Sequence, residues 1–367
     1  MAKSRTHRQE EHQLSMFQFN GAGNHAFDLE QPLFRMREAG RYGFINAEGQ
    51  TIIEPQFLEA EDFYNGFSRV LLNEKLVPMD KLGRLLMKRV FNYVGYFEEG
   101  LAPVQLVRRW GFLDPNGNLA IQPQFEAAGH FSESLAPVRL NGRWGYINPK
   151  GEFIIEPQFV FANIFSDGLA PVQLDEYWAY IDTDGKQVMV LPFDVCRPFQ
   201  GDVAVVTQGR QWGLAHRFSE VLLEPQFDIP TDEPFGEFSE YLAVIIQDEQ
   251  YGFVHASGDI SIAPQYEFAG DFSEGLAPVQ RDGAFGFINV KNEPVIPFQF
   301  DDAGIFSEGF APVRVGDRWG FLAKSGKLAI KPQFDTVLPF RDGLAWVERD
   351  ERWAYIDKKG EAVWREE

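Results

Sequence analysis

Six histidines, His7, His12, His25, His130, His216 and His255, are the first residues to weigh as metal ligands or general bases. None forms a His-x-x-x-His pair and none stands beside a spaced pair of carboxylates. The single cysteine, Cys196, allows no intrachain disulfide and no cysteine-based zinc site, so no metal and no cofactor is expected. Asp182-Thr183-Asp184-Gly185 has the opening of a calcium loop, but the later ligands of an EF-hand are missing and sibling turns lack both acids. It reads as a turn. Ser132, Ser166, Ser273 and Ser307 each follow a Phe at one recurring position, which a nucleophile has no reason to occupy several times, so a turn-stabilising role is expected. No Gly-x-Ser-x-Gly elbow, phosphate loop or dinucleotide fingerprint occurs. Glu54, Glu156 and Glu224 precede Pro-Gln-Phe, and Glu133, Glu274 and Glu308 follow Phe-Ser. Two of these could act as acid and base on a glycosidic bond, but their recurrence points to a solvated stripe. No catalytic residue is assigned.

Two segments break the chain's regularity and are the candidate binding sites. From Lys75 to Arg109 seven basic residues stand against three acids, in a chain of net charge −20. Lys81, Arg84, Lys88 and Arg89 form the centre of that patch, which suits an acidic partner or the protein's own acidic surface. The second segment, residues 228–234, is an insertion that should protrude and carries Asp232 and Glu233. The overall acidity opposes general affinity for nucleic acid or anionic membranes. The start is polar, without the apolar stretch of a secretory signal, and nowhere do eighteen apolar residues run together. A cytoplasmic location is expected, with no membrane contact.

The elements that hold these residues follow from self-similarity. An aromatic residue followed by Gly or Ala opens at Tyr42, Trp110, Trp144, Trp178, Trp212, Tyr251, Phe285, Trp319 and Trp353, mostly at steps of 34 residues. The double step from Tyr42 to Trp110 hides a degenerate copy starting at Leu76, and the longer step after Trp212 contains the insertion. That gives about ten units, starting near 42, 76, 110, 144, 178, 212, 251, 285, 319 and 353, within a repeat region of residues 33–367. Residues 1–32 form a polar N-terminal segment outside the repeat, expected either to be disordered or to cap the array.

Each unit reads as a three-stranded antiparallel meander. Residues 135–140 and 144–147 are short apolar runs around Asn141-Gly142, a hairpin dipeptide. Asn148-Pro149-Lys150-Gly151 makes the next turn, residues 153–156 form a third strand, and residues 157–168 lead to the next unit. Proline in the first strand and at the end of the third leaves the aromatic-Gly strand in the centre. Phe159 and Phe165 are the expected contacts between units. Tetratricopeptide repeats share the period, but two prolines and two or three glycines per unit would break both of their helices.

The recurring Trp-Gly-Phe-Ile-Asp, Pro-Gln-Phe and Phe-Ser-Glu-Gly-Leu-Ala-Pro-Val blocks resemble the WG-repeat family, common in bacterial proteins, over Leu33 to Trp364. Departures are Leu76-Val77 for Trp-Gly, Ala179 and Ala354 for Gly, and the insertion. The resemblance implies a β-rich repeat array that acts in binding. The expected fold is therefore all-β, an open twisted or superhelical array, with a closed propeller-like ring as the alternative because ten units exceed the usual ~4–8 blades. The expected function is non-enzymatic binding or scaffolding of a protein partner. A glycan binder using exposed aromatic rings is the alternative, and an enzyme with a site on one variant unit is a third class.

Overall fold

The computed structural model describes residues 30–72, 74–86, 91–218, 220–231 and 234–366. Among them all helix and strand assignments are strand, ordered as ten antiparallel sheets that follow one another along the chain. Seven sheets have four strands, those of the first and seventh units have three, and the degenerate second unit has two.

The fourth unit shows how the sequence builds a sheet. Ala136–Leu140 pairs with Arg143–Ile147 from Ala136↔Ile147 to Leu140↔Arg143, around Asn141 and Gly142 with φ of 52° and 78°. Both central residues are left-handed, as a tight hairpin turn requires. The third strand, Phe153–Phe159, does not stop before Pro157 but continues through it. Trp144 faces Phe159 and Tyr146 faces Ile155, so Glu156-Pro157-Gln158 bulges out opposite Gly145 alone. A bulge leaves residues outside the ladder, which is why a proline is accepted there. The same bulge explains the Gly after each aromatic residue. A Cβ on Gly145 would stand 2.5 Å from the Ile155 carbonyl oxygen and 2.7 Å from the Pro157 nitrogen, both backbone atoms. At Ala179 and Ala354 the ladder runs without a bulge, Ala179 facing Val190 and Ala354 facing Arg365, and a methyl group fits.

A short fourth strand, Ala127–Ala128 in this unit and Phe161–Ala162 in the next, pairs with the first long strand and carries the chain between units. Phe159 and Phe165 are buried in one cluster that joins Tyr146 and Ile155 of the fourth unit to Val172 and Ile181 of the fifth. The contact repeats: Phe112–Phe131, Tyr146–Phe165, Tyr180–Phe199, Phe253–Phe272, Phe287–Phe306 and Phe321–Phe340 pair with ring centroids 4.6 to 5.0 Å apart. Each middle strand thus sets its aromatic side chain on the Phe of the next unit, mostly edge to face.

The Phe-Ser-Glu-Gly turns add polar staples. Ser132 Oγ donates to the Phe165 carbonyl at 2.7 Å, and Ser166, Ser239, Ser273 and Ser307 repeat the bond one unit on. These serines act between units, where a role within their own turn was expected. Glu133 accepts from Gly168 N at 3.0 Å, as Glu274 does from Gly309 and Glu308 from Gly343. Burial alone would raise the Glu274 carboxyl, but bonds from Lys324 Nζ and Gly309 N offset it and hold the group below its ordinary value. Glu54, Glu156 and Glu224 are exposed.

Among the described residues no sheet closes into a barrel, but the first unit packs on the last, as in the ring arrangement. Gly49 lies against Val363 as Gly151 lies against Ile121 of the unit before it. The first unit has no short strand among the described residues, so its Arg35 carbonyl accepts directly from Tyr355 Oη at 2.9 Å, and Phe34 meets the Tyr355 ring at 5.4 Å. Arg37 donates twice to Glu366, at 2.7 and 3.0 Å, and its guanidinium lies 4.4 Å over Trp353. The bond from Arg37 holds the Glu366 carboxyl below its ordinary value against the opposing effect of burial.

Candidate cleft on the second to fourth units

A cavity of about 660 Å³ opens over the segments that lead into the second, third and fourth units. Asp62, Tyr96 and His130 occupy one repeat position in these three neighbours and all face it. Its floor includes Gly95 and Gly129, packed so closely on Pro103 and Pro137 that a Cβ would meet the rings at 2.7 and 2.8 Å. Its walls are aromatic. Tyr64 and Tyr96 pair edge to face at 5.6 Å, and Tyr93 and Trp110 pair at 5.4 Å. Tyr64, Tyr93 and Tyr96 are 50%, 47% and 44% exposed, whereas the repeat tryptophans Trp178 and Trp212 are buried at 7% and 0%.

Variant residues of the repeat build this cleft. Glu61 stands where four later units have Gly95, Gly129, Gly270 and Gly304, and Arg69 where the same units have Pro103, Pro137, Pro278 and Pro312, so an ion pair replaces the Gly–Pro contact. Arg69 donates to both Glu61 oxygens at 2.6 and 2.8 Å, donates to the Val94 carbonyl at 3.0 Å, and lies 3.9 Å over the Tyr96 ring. Tyr96 Oη donates to Glu61 at 3.1 Å, and burial together with that bond raises its pKa. Tyr64 and Glu98 both stand at the staple-serine position. The staple itself is made by Asn65, whose Nδ2 donates to the Phe97 carbonyl at 3.1 Å and to Glu98 at 3.0 Å. A hydrogen bond to Glu98 raises the Tyr64 phenol. Asp62 lies 3.6 Å from Arg35.

This arrangement can hold a ligand by ring faces and carboxylates. Among the described residues no group of three or more His, Cys, Asp or Glu side chains is placed to hold a metal ion. A second cavity of about 780 Å³ lies at the junction of the first and last units, against Phe34, Phe63, Arg341, Trp346 and Tyr355.

The repeat model described as "WG containing repeat" matches residues 42–75, 79–106, 110–144, 144–178, 178–211, 251–283, 285–319 and 319–353. The chain belongs to the WG-repeat family. A search of curated proteins gives no match. Among solved structures, the eukaryotic initiation factor is similar over 82% of this chain and 94% of that one, at 12% identity and a TM-score of 0.53. Kluyveromyces lactis Hsv2p matches over 63% and 92% at 12% identity and a TM-score of 0.31, and the dihydro-heme d1 dehydrogenase NirN over 76% and 75% at 12% identity and 0.40. The first likeness concerns the fold alone, and the other two are too distant in shape to bear on it.

The WG-repeat frame also accounts for residues singled out in the sequence. Lys81 shares a repeat position with Arg217, Lys324 and Lys358, each of which reaches a residue 50 positions earlier. Lys81 Nζ donates to the Gln31 carbonyl at 2.8 Å, Arg217 to Asp167 at 2.7 Å, and Lys324 to Glu274 at 3.0 Å. Arg84 donates to the Asp80 carboxylate of its own turn at 2.6 Å. Lys88, Arg89, Asp232 and Glu233 lie outside the described residues. The insertion was expected to protrude, but its Ile229 packs onto the Trp212 cluster, as does Phe235 just after it. Asp182 Oδ1 accepts from Asp184 N and Lys186 N, confirming a turn, and His216 and His255 cap equivalent turns through Nδ1. Sequence reasoning missed Tyr64, Tyr93, Tyr96 and Glu98. The available signal was a tyrosine and a glutamate at the staple-serine position, with asparagine next to the tyrosine.

Proposed function

We propose that this WG-repeat protein is a non-enzymatic binding protein whose array holds a protein partner on a fixed surface. The observation that carries this reading is the cleft over units two to four. Tyr64 stands at the position from which Ser132 and its equivalents staple neighbouring units, and here that bond passes to Asn65, leaving the tyrosine half exposed beside Tyr93 and Tyr96. Concave sites rich in Tyr and Trp are where binding energy concentrates at protein interfaces. A scaffolding role in the cytoplasm is part of the proposal, in keeping with one reduced, buried cysteine.

Crosslinking and affinity purification of the intact protein, beside Tyr64→Ala/Tyr93→Ala, tests it. A specific partner retained by the native chain and lost by the variant is expected. A partner set that is empty, or that changes only on charge reversal at Lys81, Arg84, Lys88 and Arg89, would contradict the cleft as the binding surface. The half-exposed tyrosines, together with the partly exposed Trp110 of the cleft, also support a second reading, a glycan binder, although Trp178 and Trp212 are buried and offer that ligand no stacking face.

A further inference from the structure

The three closest contacts between an arginine and a ring among the described residues share one device, an aromatic face with a carboxylate beside it. Arg69 lies 3.9 Å over Tyr96 with Glu61 at 2.6 Å, and Arg37 lies 4.4 Å over Trp353 with Glu366 at 2.7 Å. Arg197 lies 4.0 Å over Phe235 with Glu237 at 3.8 Å. The guanidinium suits both groups, since it is planar, weakly hydrated and always charged.

Tyr64 and Glu98 form a fourth such pair and hold no arginine. The ring is half exposed, and Glu98 has no ion-pair partner among the described residues. Asn65 fixes the Glu98 carboxylate, so its oxygens are placed before any ligand arrives. The pair opens into the aromatic cleft, which continues past Tyr96 to Tyr93 and Trp110 and has a volume within the ~300–1,000 Å³ of ligand pockets. A net charge of −20 draws cationic segments towards the surface over distance.

We infer that the cleft receives an arginine side chain from an extended segment of the protein partner, its guanidinium on Tyr64 and Glu98 and an adjacent apolar side chain against Tyr93 and Trp110. This rests on the binding reading above and names the partner's chemistry. A saccharide competes for the same rings. Its hydroxyls can pair with the tyrosines, His130 and Arg341, but carry no charge to meet the Glu98 carboxylate, whereas a guanidinium does.

The test uses the full chain and a random twelve-residue peptide library, with a panel of neutral oligosaccharides as the competing probe. Selected peptides are expected to depend on one arginine, and its replacement by lysine should weaken binding about tenfold or more because an ammonium cannot lie flat on the ring. Glu98→Gln should weaken binding to a similar degree and reduce its salt dependence. Tyr64→Ala should abolish it and Tyr64→Phe retain most of it, each variant melting within a few degrees of the native chain. Binders that need no arginine, or that bind Tyr64→Ala and Glu98→Gln unchanged, would overturn the arginine receptor and leave the binding reading intact. Oligosaccharide binding lost in Tyr93→Ala would overturn it in favour of glycans. A library without binders and an empty partner set together would overturn both.

Discussion

Gly145 lies beneath three residues of its own third strand, and Ala179, one unit on, faces a single paired residue, Val190. Gly145→Ala should therefore destabilise the protein by about 1–3 kcal/mol, because its Cβ would meet backbone atoms that cannot step aside. Ala179→Gly should cost only ~0.5–1 kcal/mol in chain entropy. Denaturant melts of the two variants check the contrast, and equal losses would show that the bulge does not set the residue type. From the sequence, Ala179 and Ala354 read only as departures from the repeat, since a one-residue change carries no sign of the backbone path on the neighbouring strand. Ser132 and Lys81 were opaque for a related reason. Their partners, Phe165 and Gln31, stand 33 and 50 residues away, a separation that becomes contact only when units stack. Cys196 was legible as free, and burial pushes its thiol up to about 12, opposed by a bond with Tyr180.

At the scale of the element, the hairpin around Asn141-Gly142, the central aromatic-Gly strand and the turn at Asn148 follow from short-range turn chemistry and alternation. They were readable in advance. The third strand was read too short, because proline was taken as its end rather than as the residue that a bulge accommodates. The short connecting strand, two residues long, is defined only by the partner it finds. Phe165 ties these elements together: it is fully buried and touches Tyr146 of the preceding unit at 4.8 Å. Phe165→Ala should destabilise by about 3–5 kcal/mol. The loss should spread to hydrogen-exchange protection in both the fourth and fifth units; a loss confined to the fifth would contradict the shared core.

For the whole molecule, regular contacts between units turn a one-dimensional repeat into a single body. Sequence periodicity gives the number of units and their order, but whether the ends meet depends on a small rotation per unit that no local motif encodes. The contacts that join the ends, Arg37 with Glu366 and Tyr355 with Arg35, lie 329 and 320 residues apart, far beyond the reach of one repeat period. The cleft is likewise a property of several units together, since Asp62, Tyr96 and His130 converge only when three neighbours are stacked. Spin labels at equivalent exposed turn positions measure the joining directly: Ser325 with Lys359 for the ninth unit and the last, neighbours along the chain, and Lys359 with Glu48 for the last unit and the first. Matching distance distributions for the two pairs are predicted, as between any two neighbours. A Lys359–Glu48 distance well beyond that of Ser325–Lys359 would contradict the contact between the ends and with it this account of the array.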